Sequence, residues 1–203
     1  RRDDVLVGAP LFLERRPEGK QREVGRLYVF LQGGRRRLAG PPQTLTGTHP
    51  YGRFAAAIAS LGDLDKDGCG APDPTPQPRT PHTHCPLAVS PDVAVGVPFG
   101  GAGGSGQVLI FRGQSEGLAP SPAQRLDSPF PGPAAFGFAL RGATDLDGNG
   151  YTDLLVGAFG ADKVAVYRGQ PVVVARAQLS VPSGLNPEEM ECVLPESGGR
   201  VTW

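Results

Sequence analysis

The sequence lacks the features that mark several large classes of protein. No run of about 18 apolar residues occurs in its 203 residues, so no part of it is expected to cross a membrane. Lys and Arg together number 20, as do Asp and Glu, and this balance disfavours a nucleic-acid interface. The first residues do not resemble a secretory signal peptide, and we expect none there.

Histidine is scarce, and the three that occur form no recognisable catalytic arrangement. His49, His82 and His84 fall in turn-like segments, and none stands beside a credible Ser or Cys nucleophile. We therefore predict a protein that is not an enzyme and keep a hydrolase as the less favoured alternative.

Glycine and proline are abundant, with 30 and 22 residues. Such content favours many turns and argues against long helices. Short alternating or apolar runs at 25–30, 106–111 and 163–167 are typical of strands. The sequence thus predicts an all-β fold, with a mobile charged connection at 14–23.

Residues 145–153 read Asp-Leu-Asp-Gly-Asn-Gly-Tyr-Thr-Asp, with oxygen-bearing side chains at alternate positions. When such a loop curls, these oxygens converge, and Gly150 permits the sharp turn. Carboxylates repel one another unless a cation lies among them, and an oxygen cage suits calcium better than zinc or copper. A plain Asp-Gly and Asn-Gly turn is the alternative. The predicted calcium ligands are the side chains of Asp145, Asp147, Asn149 and Asp153 and the backbone carbonyl of Tyr151.

The loop is not an EF-hand. An EF-hand needs a bidentate Glu at position twelve and a helix on each side. Position twelve is Val156, and the flanking runs at 136–140 and 154–158 are short and strand-like. The ion is therefore expected in a turn between two strands.

The chain repeats this order of aromatic segment, acidic loop and glycine corner. The corner glycines are Gly8, Gly96 and Gly157, and the last two are 61 residues apart. A repeat of about 60 residues that holds about four short strands is typical of a propeller blade. Asp4 precedes the first corner as Asp153 precedes the third. Asp4 is therefore predicted to be the final ligand of a loop that begins before residue 1.

A second acidic loop is interrupted by an insertion. Two residues separate Gly150 from Asp153, whereas 23 residues, many of them proline, separate Gly68 from Asp92. Either Asp92 folds back as the last ligand or the loop lacks one. Closing a loop of about 20 residues costs only a few kcal/mol. The other predicted ligands of this loop are Asp63, Asp65 and Asp67.

The insertion, residues 69–91, contains two of the three cysteines. Cys69 and Cys85 could form a disulfide in an oxidising compartment. His82, His84 and Cys85 lack a fourth zinc ligand at suitable spacing, so we favour a solvated loop over a zinc site. Cys192 is left as a free thiol or pairs outside this chain.

Phe-Gly, an aspartate-rich loop and Gly-Ala-Pro in this order resemble the FG-GAP repeats of integrin alpha chains. The resemblance extends to the runs at 45–48, 113–118, 126–131 and 170–173. It implies that residues 1–170 are about two and a half blades from the end of a seven-bladed β-propeller. Residues 171–203 would then begin an Ig-like β-sandwich, the thigh domain, with a first strand at 171–181.

The resemblance also implies a function and partners. It implies that calcium stiffens the bottom-face loops of an adhesion receptor, although Ala71 stands where the family has the last aspartate of the second loop. The receptor would be a heterodimer with an integrin beta subunit of the beta-three type. It would bind fibrinogen-like ligands and signal at the extracellular face of the plasma membrane of platelets. A soluble truncated module that binds without signalling remains the alternative.

Overall fold

The computed structural model describes residues 4–15, 17, 19–32, 38, 40–64, 91–114 and 116–171, and the backbone of 192–193 and 200–201. Within these residues the regular structure consists of β-strands and short 3₁₀ turns, so the predicted all-β class is confirmed. None of the described segments forms a helix long and apolar enough to span a membrane.

The strands of the amino-terminal part are short, as the high turn content requires. They are β1 (Val5–Ala9), β2 (Leu13–Arg15), β3 (Gln21–Glu23), β4 (Arg26–Phe30), β5 (Gln43–Thr46), β6 (Ile58–Gly62), β7 (Asp92–Val97), β8 (Gln107–Phe111), β9 (Gly113–Gln114), β10 (Gly117–Leu118), β11 (Gln124–Asp127), β12 (Phe136–Thr144), β13 (Asp153–Ala158) and β14 (Lys163–Tyr167).

These strands form three antiparallel sheets in chain order, which we call the first, second and third blades. The first blade is β1-β4-β5, the second is β6-β7-β8-β11, and the third is β12-β13-β14. Two small hairpins, β2-β3 and β9-β10, lie between blade strands in the sequence. Asp4, Asp92 and Asp153 stand at the start of β1, β7 and β13. Within the described residues, the first blade has no counterpart of β6 and the third has no counterpart of β11.

The two middle strands of the second blade, β7 and β8, are buried on both faces. Every residue of β7 and β8 is buried, and alternate side chains of a strand point to opposite faces. Val93 and Val95 pack with side chains of the first blade, such as Leu27, whereas Ala94 packs with side chains of the third blade, such as Val156. Burial of both faces explains why β7 and β8 are nearly continuous apolar runs.

The outer faces of the first and third blades are open in this chain. Val5 and Val7 of β1 are 45% and 44% exposed, and Val164 and Val166 of β14 are 61% and 53% exposed. The alternation along each strand therefore leaves one apolar face covered and the other facing water.

The glycine corners are where one blade meets the next. A Cβ atom added to Gly8 would collide with the backbone oxygen of Ala55, and one added to Gly96 would collide with that of Gly137. At Gly157 the nearest atom to such a Cβ is Ala139 Cβ at 3.4 Å, an ordinary contact. Gly8 and Gly96 therefore need to be glycine, because the backbone of the following blade approaches there.

One local prediction was wrong. Residues 14–23 were expected to be a mobile connection, but β2 and β3 pair antiparallel from Leu13↔Glu23 to Arg15↔Gln21. Apart from Leu13, the side chains of β2 and β3 are polar or charged. Such side chains are compatible with an exposed hairpin, in which each strand forms backbone hydrogen bonds with the other.

The carboxyl-terminal part is a separate unit. The chain divides into compact units at residues 1–172 and 173–203. In the second unit the described strands are β15 (Cys192–Val193) and β16 (Arg200–Val201), which pair antiparallel. The predicted strand at 171–181 lies almost entirely outside the described residues, as do the insertion with Cys69, His82, His84 and Cys85.

Candidate metal centre

Three carboxylates converge in the loop between β12 and β13 of the third blade. One oxygen each of Asp145, Asp147 and Asp153 lies within 4.8 Å of the others. Calcium binds oxygens at about 2.3–2.6 Å, so two oxygens on one ion lie at most about 5 Å apart. The spacing of the three carboxylates fits a single ion of this kind.

Asp153 is held from both sides by the backbone. Its side chain is fully buried, and its two oxygens accept hydrogen bonds from the N–H groups of Leu146 at 2.7 Å and Gly169 at 2.8 Å. Burying a carboxylate is costly unless it is hydrogen-bonded or paired with a cation. The two bonds tie the start of β13 to the loop and to the segment that follows β14.

Asp145, at the start of the loop, accepts hydrogen bonds from backbone N–H groups in the middle of the loop. Its oxygens accept from the N–H groups of Gly150 at 2.7 Å, Gly148 at 2.7 Å and Asn149 at 3.2 Å. These bonds, that from Gly150 above all, lower the pKa of Asp145 from its usual 3.8, although desolvation opposes them. The carboxylate is therefore ionised at neutral pH and available to a cation.

Asn149 orients the middle of the loop. Its side-chain oxygen accepts from the Tyr151 N–H at 2.8 Å, and its amide nitrogen donates to the Gly169 carbonyl at 2.9 Å. Arg168 approaches Asp147 with Nε 3.8 Å from Oδ2, but its side chain is largely exposed. An exposed ion pair of this kind contributes little, so the loop keeps a strongly negative centre.

Comparison with known proteins places this arrangement in a family. The chain is 54% identical over 197 residues to integrin alpha-IIb of Mus musculus and of Homo sapiens. It is 46% identical over 199 residues to integrin alpha-8 of Homo sapiens. The match covers 97% of this chain but only 17% of each alpha-IIb protein. No family model matches the chain.

This chain is a segment of the integrin alpha family. The resemblance to integrin alpha chains that its motifs indicated is thereby confirmed. The runs at 45–48, 113–118, 126–131 and 170–173 had indicated alpha-IIb in particular, and that likeness is confirmed as well. Integrin alpha chains are adhesion receptors and not enzymes, in agreement with the predicted lack of catalytic residues.

The acidic position at the start of β13 recurs in the other two blades of this integrin alpha segment. Asp92 accepts from the Leu64 N–H at 3.0 Å and the Gly113 N–H at 2.9 Å. These bonds match those of Asp153, so Asp92 occupies the equivalent place despite the insertion. Asp4 accepts from the Gln32 N–H at 2.8 Å. Asp63 is within the described residues, whereas Asp65 and Asp67 are outside them.

No Gly-x-Ser-x-Gly nucleophile motif was expected, and this was wrong, because residues 113–117 read Gly-Gln-Ser-Glu-Gly. That motif acts in a strand–turn–helix setting. Here Gly113–Gln114 and Gly117–Leu118 pair with each other as the hairpin β9-β10, and Ser115 is outside the described residues. The surrounding structure does not support a nucleophile elbow.

Two residues that support the loop at 145–153 carried no sequence signal. Gly169 donates to Asp153 and accepts from Asn149, although it lies beyond β14. The Thr152 hydroxyl donates to the Leu61 carbonyl of the second blade. Both contacts join residues far apart in the chain, and no local spacing could indicate them.

Proposed function

We propose that the chain is part of a cell-adhesion receptor in which calcium stiffens successive propeller loops. The single observation that carries the proposal is the convergence of Asp145, Asp147 and Asp153 within 4.8 Å. Asn149 and the Tyr151 carbonyl would complete the oxygen set. Calcium would neutralise the carboxylates and fix the turn between β12 and β13, which is a structural role and not a catalytic one.

The second blade is proposed to hold a similar ion. Its ligands would be Asp63, Asp65, Asp67 and Asp92. The support is the pair of backbone hydrogen bonds to Asp92, which repeats the pair on Asp153. Of the two alternatives left by the insertion, this geometry favours the return of Asp92 to its loop. In the first blade, Asp4 would supply the last ligand.

Calorimetry on the intact protein tests the third-blade site. We expect calcium to bind with a dissociation constant of about 10⁻⁴–10⁻³ M, as in other extracellular modules. Asp145→Asn removes one charged ligand and should weaken binding about tenfold or more. Asp162→Asn, in the same blade but outside the loop, is the matched control and should leave binding unchanged. No uptake at the third-blade site at millimolar calcium, or equal affinity for the two variants, would exclude it.

The receptor function is proposed from the relatives. Because the chain spans 17% of the length of the alpha-IIb proteins, partner and ligand are inferred for the whole protein. We propose a heterodimer with an integrin beta subunit of the beta-three type and fibrinogen-like ligands, at the extracellular face of the plasma membrane. Residues 171–203 would begin the thigh domain. Co-purification of a beta subunit with the intact protein is the expected result, and its absence would favour the soluble module.

A further inference from the structure

Thr152 lies at the junction between the second and third blades. Its hydroxyl donates to the backbone carbonyl of Leu61, 91 positions earlier in the chain. Leu61 is near the end of β6 and stands two residues before Asp63. The methyl group of Thr152 also lies close to Gly62, since a Cβ atom on that glycine would be 3.8 Å from it.

Thr152 is also fixed within the metal loop of its own blade. It is flanked by Tyr151, whose carbonyl is a proposed ligand, and by Asp153, whose carboxylate is buried and doubly hydrogen-bonded. A cation in this loop would therefore restrict the backbone on both sides of Thr152, and with it the position of the hydroxyl.

The strands leading into the two loops are packed tightly enough to transmit this restriction. A Cβ atom added to Gly142 of β12 would collide with the Ser60 carbonyl and approach Leu61 Cδ2 at 2.8 Å. The backbone of β12 thus lies directly against that of β6. Leu61 itself is buried, with 1% of its surface exposed. Water therefore cannot readily replace the Thr152 hydroxyl as the hydrogen-bond donor to its carbonyl.

We propose that Thr152 couples cation binding in the third-blade loop to the ordering of the segment that enters the second-blade loop. The proposal rests on the proposed calcium site in residues 145–153. Filling that site would fix Thr152, Thr152 would hold the Leu61 carbonyl, and the turn through Gly62 and Asp63 would open less often. The Leu64 N–H, which donates to Asp92 at 3.0 Å, reports that opening by its rate of exchange with solvent.

Hydrogen exchange in the intact protein, with and without calcium, tests the coupling. An Asp63→Asn background removes a proposed ligand of the second loop and so weakens the protection of Leu64 by an ion in its own blade. We expect calcium to slow exchange across 58–64 about two- to tenfold, the range that one net hydrogen bond gives. In the same background, Thr152→Val keeps the shape of the side chain and should abolish the slowing. Thr152→Ser keeps the hydroxyl and should restore it.

The Leu146 N–H separates failure of the coupling from failure of the site. It donates to Asp153 at 2.7 Å within the third-blade loop, and its exchange should slow whenever that loop binds calcium. If calcium leaves Leu146 unprotected, the third-blade site itself is refuted. If Leu146 is protected but calcium slows exchange at 58–64 equally in the Val and Ser variants, or in neither, the coupling is refuted.

Discussion

At the scale of single residues, Asp153 shows how one side chain can serve both fold and site. Its buried carboxylate accepts two backbone hydrogen bonds, and the same oxygens are available to a cation, because a carboxylate offers about four lone-pair sites. Asp92 repeats the arrangement. An aspartate at this position therefore orders the start of a blade strand even before any ion binds.

Asp145 should titrate below its usual range. Hydrogen bonds from the N–H groups of Gly150, Gly148 and Asn149 lower its pKa from 3.8. These bonds therefore stabilise the folded state in full at pH values above 3.8. This stabilisation is lost as pH falls through the lower folded-state pKa. An NMR titration of the Asp145 carboxyl carbon without calcium should give a midpoint below 3.8. The urea-unfolded chain serves as the control, and an equal or lower midpoint there would contradict the assignment.

Ala143 occupies a backbone conformation that suits glycine. Its φ is 56°, it is exposed, and it lies in the irregularity between Arg141 and Thr144 just before the metal loop. The left-handed region costs a non-glycine residue roughly 1–2 kcal/mol, whereas glycine adds roughly 0.4–1 kcal/mol of unfolded-state entropy. Ala143→Gly should raise the free energy of unfolding by about 0.5 kcal/mol.

Denaturant unfolding measures this gain, with the reverse change at a matched position as the control. Gly132 has a φ of 76°, and a Cβ atom added to it would meet no other atom within 4 Å. Gly132→Ala should lower the free energy of unfolding by about 0.5 kcal/mol, the same two terms with opposite sign. Effects of the same sign in the two variants would show that backbone conformation is not the cause.

At the scale of elements, the second blade shows what a neighbour on each face does to a strand. β7 and β8 are buried throughout, whereas β1 and β14 alternate between partly buried and exposed positions. The apolar runs and the acidic loops were both readable from the sequence because they depend on local spacing. The β2-β3 hairpin was missed because its charged residues resemble those of an unstructured connection.

The glycine corners should differ sharply in their tolerance of a methyl group. Gly96→Ala would drive a Cβ atom into the Gly137 carbonyl and should lower the free energy of unfolding by about 1–3 kcal/mol. Gly157→Ala, at the equivalent corner, meets only Ala139 Cβ at 3.4 Å and should be nearly neutral in this chain. Thermal or denaturant unfolding of the two variants measures the difference.

The same pair of variants tests ring closure. In the intact protein a further blade would approach Gly157 as the third blade approaches Gly96, and Gly157→Ala should then become costly. If Gly157→Ala is as destabilising as Gly96→Ala in this chain alone, the steric explanation is wrong.

At the scale of the whole molecule, the first and third blades each present an exposed apolar face. Val7 on the first blade and Val166 and Phe138 on the third are exposed apolar side chains. In the part of the chain that the structure describes, no further strand pairs with the outer edges of β1 and β14. Exposed apolar faces and unpaired strand edges promote association.

We expect this chain in isolation to associate. Light scattering should show oligomers or aggregates, and the double variant Val7→Lys, Val166→Lys should shift the population towards monomer because a charge on each face resists desolvation. Arg125→Lys, on the exposed side of the complete second blade, is the control and should change nothing. A monodisperse monomer for the unmodified chain would refute the prediction.

The sequence by itself determined the repeated blade, its acidic loops and the convergence of Asp145, Asp147 and Asp153, because alternation of side chains and glycine placement act over a few residues. Only the tertiary structure showed that Asp92 accepts a hydrogen bond from the Leu64 N–H across the insertion, that Gly169 and Thr152 support the 145–153 loop, and which glycine corners are closed. Those contacts join residues 16 to 91 positions apart. They exist because blades stack face to face, a packing that no local pattern encodes.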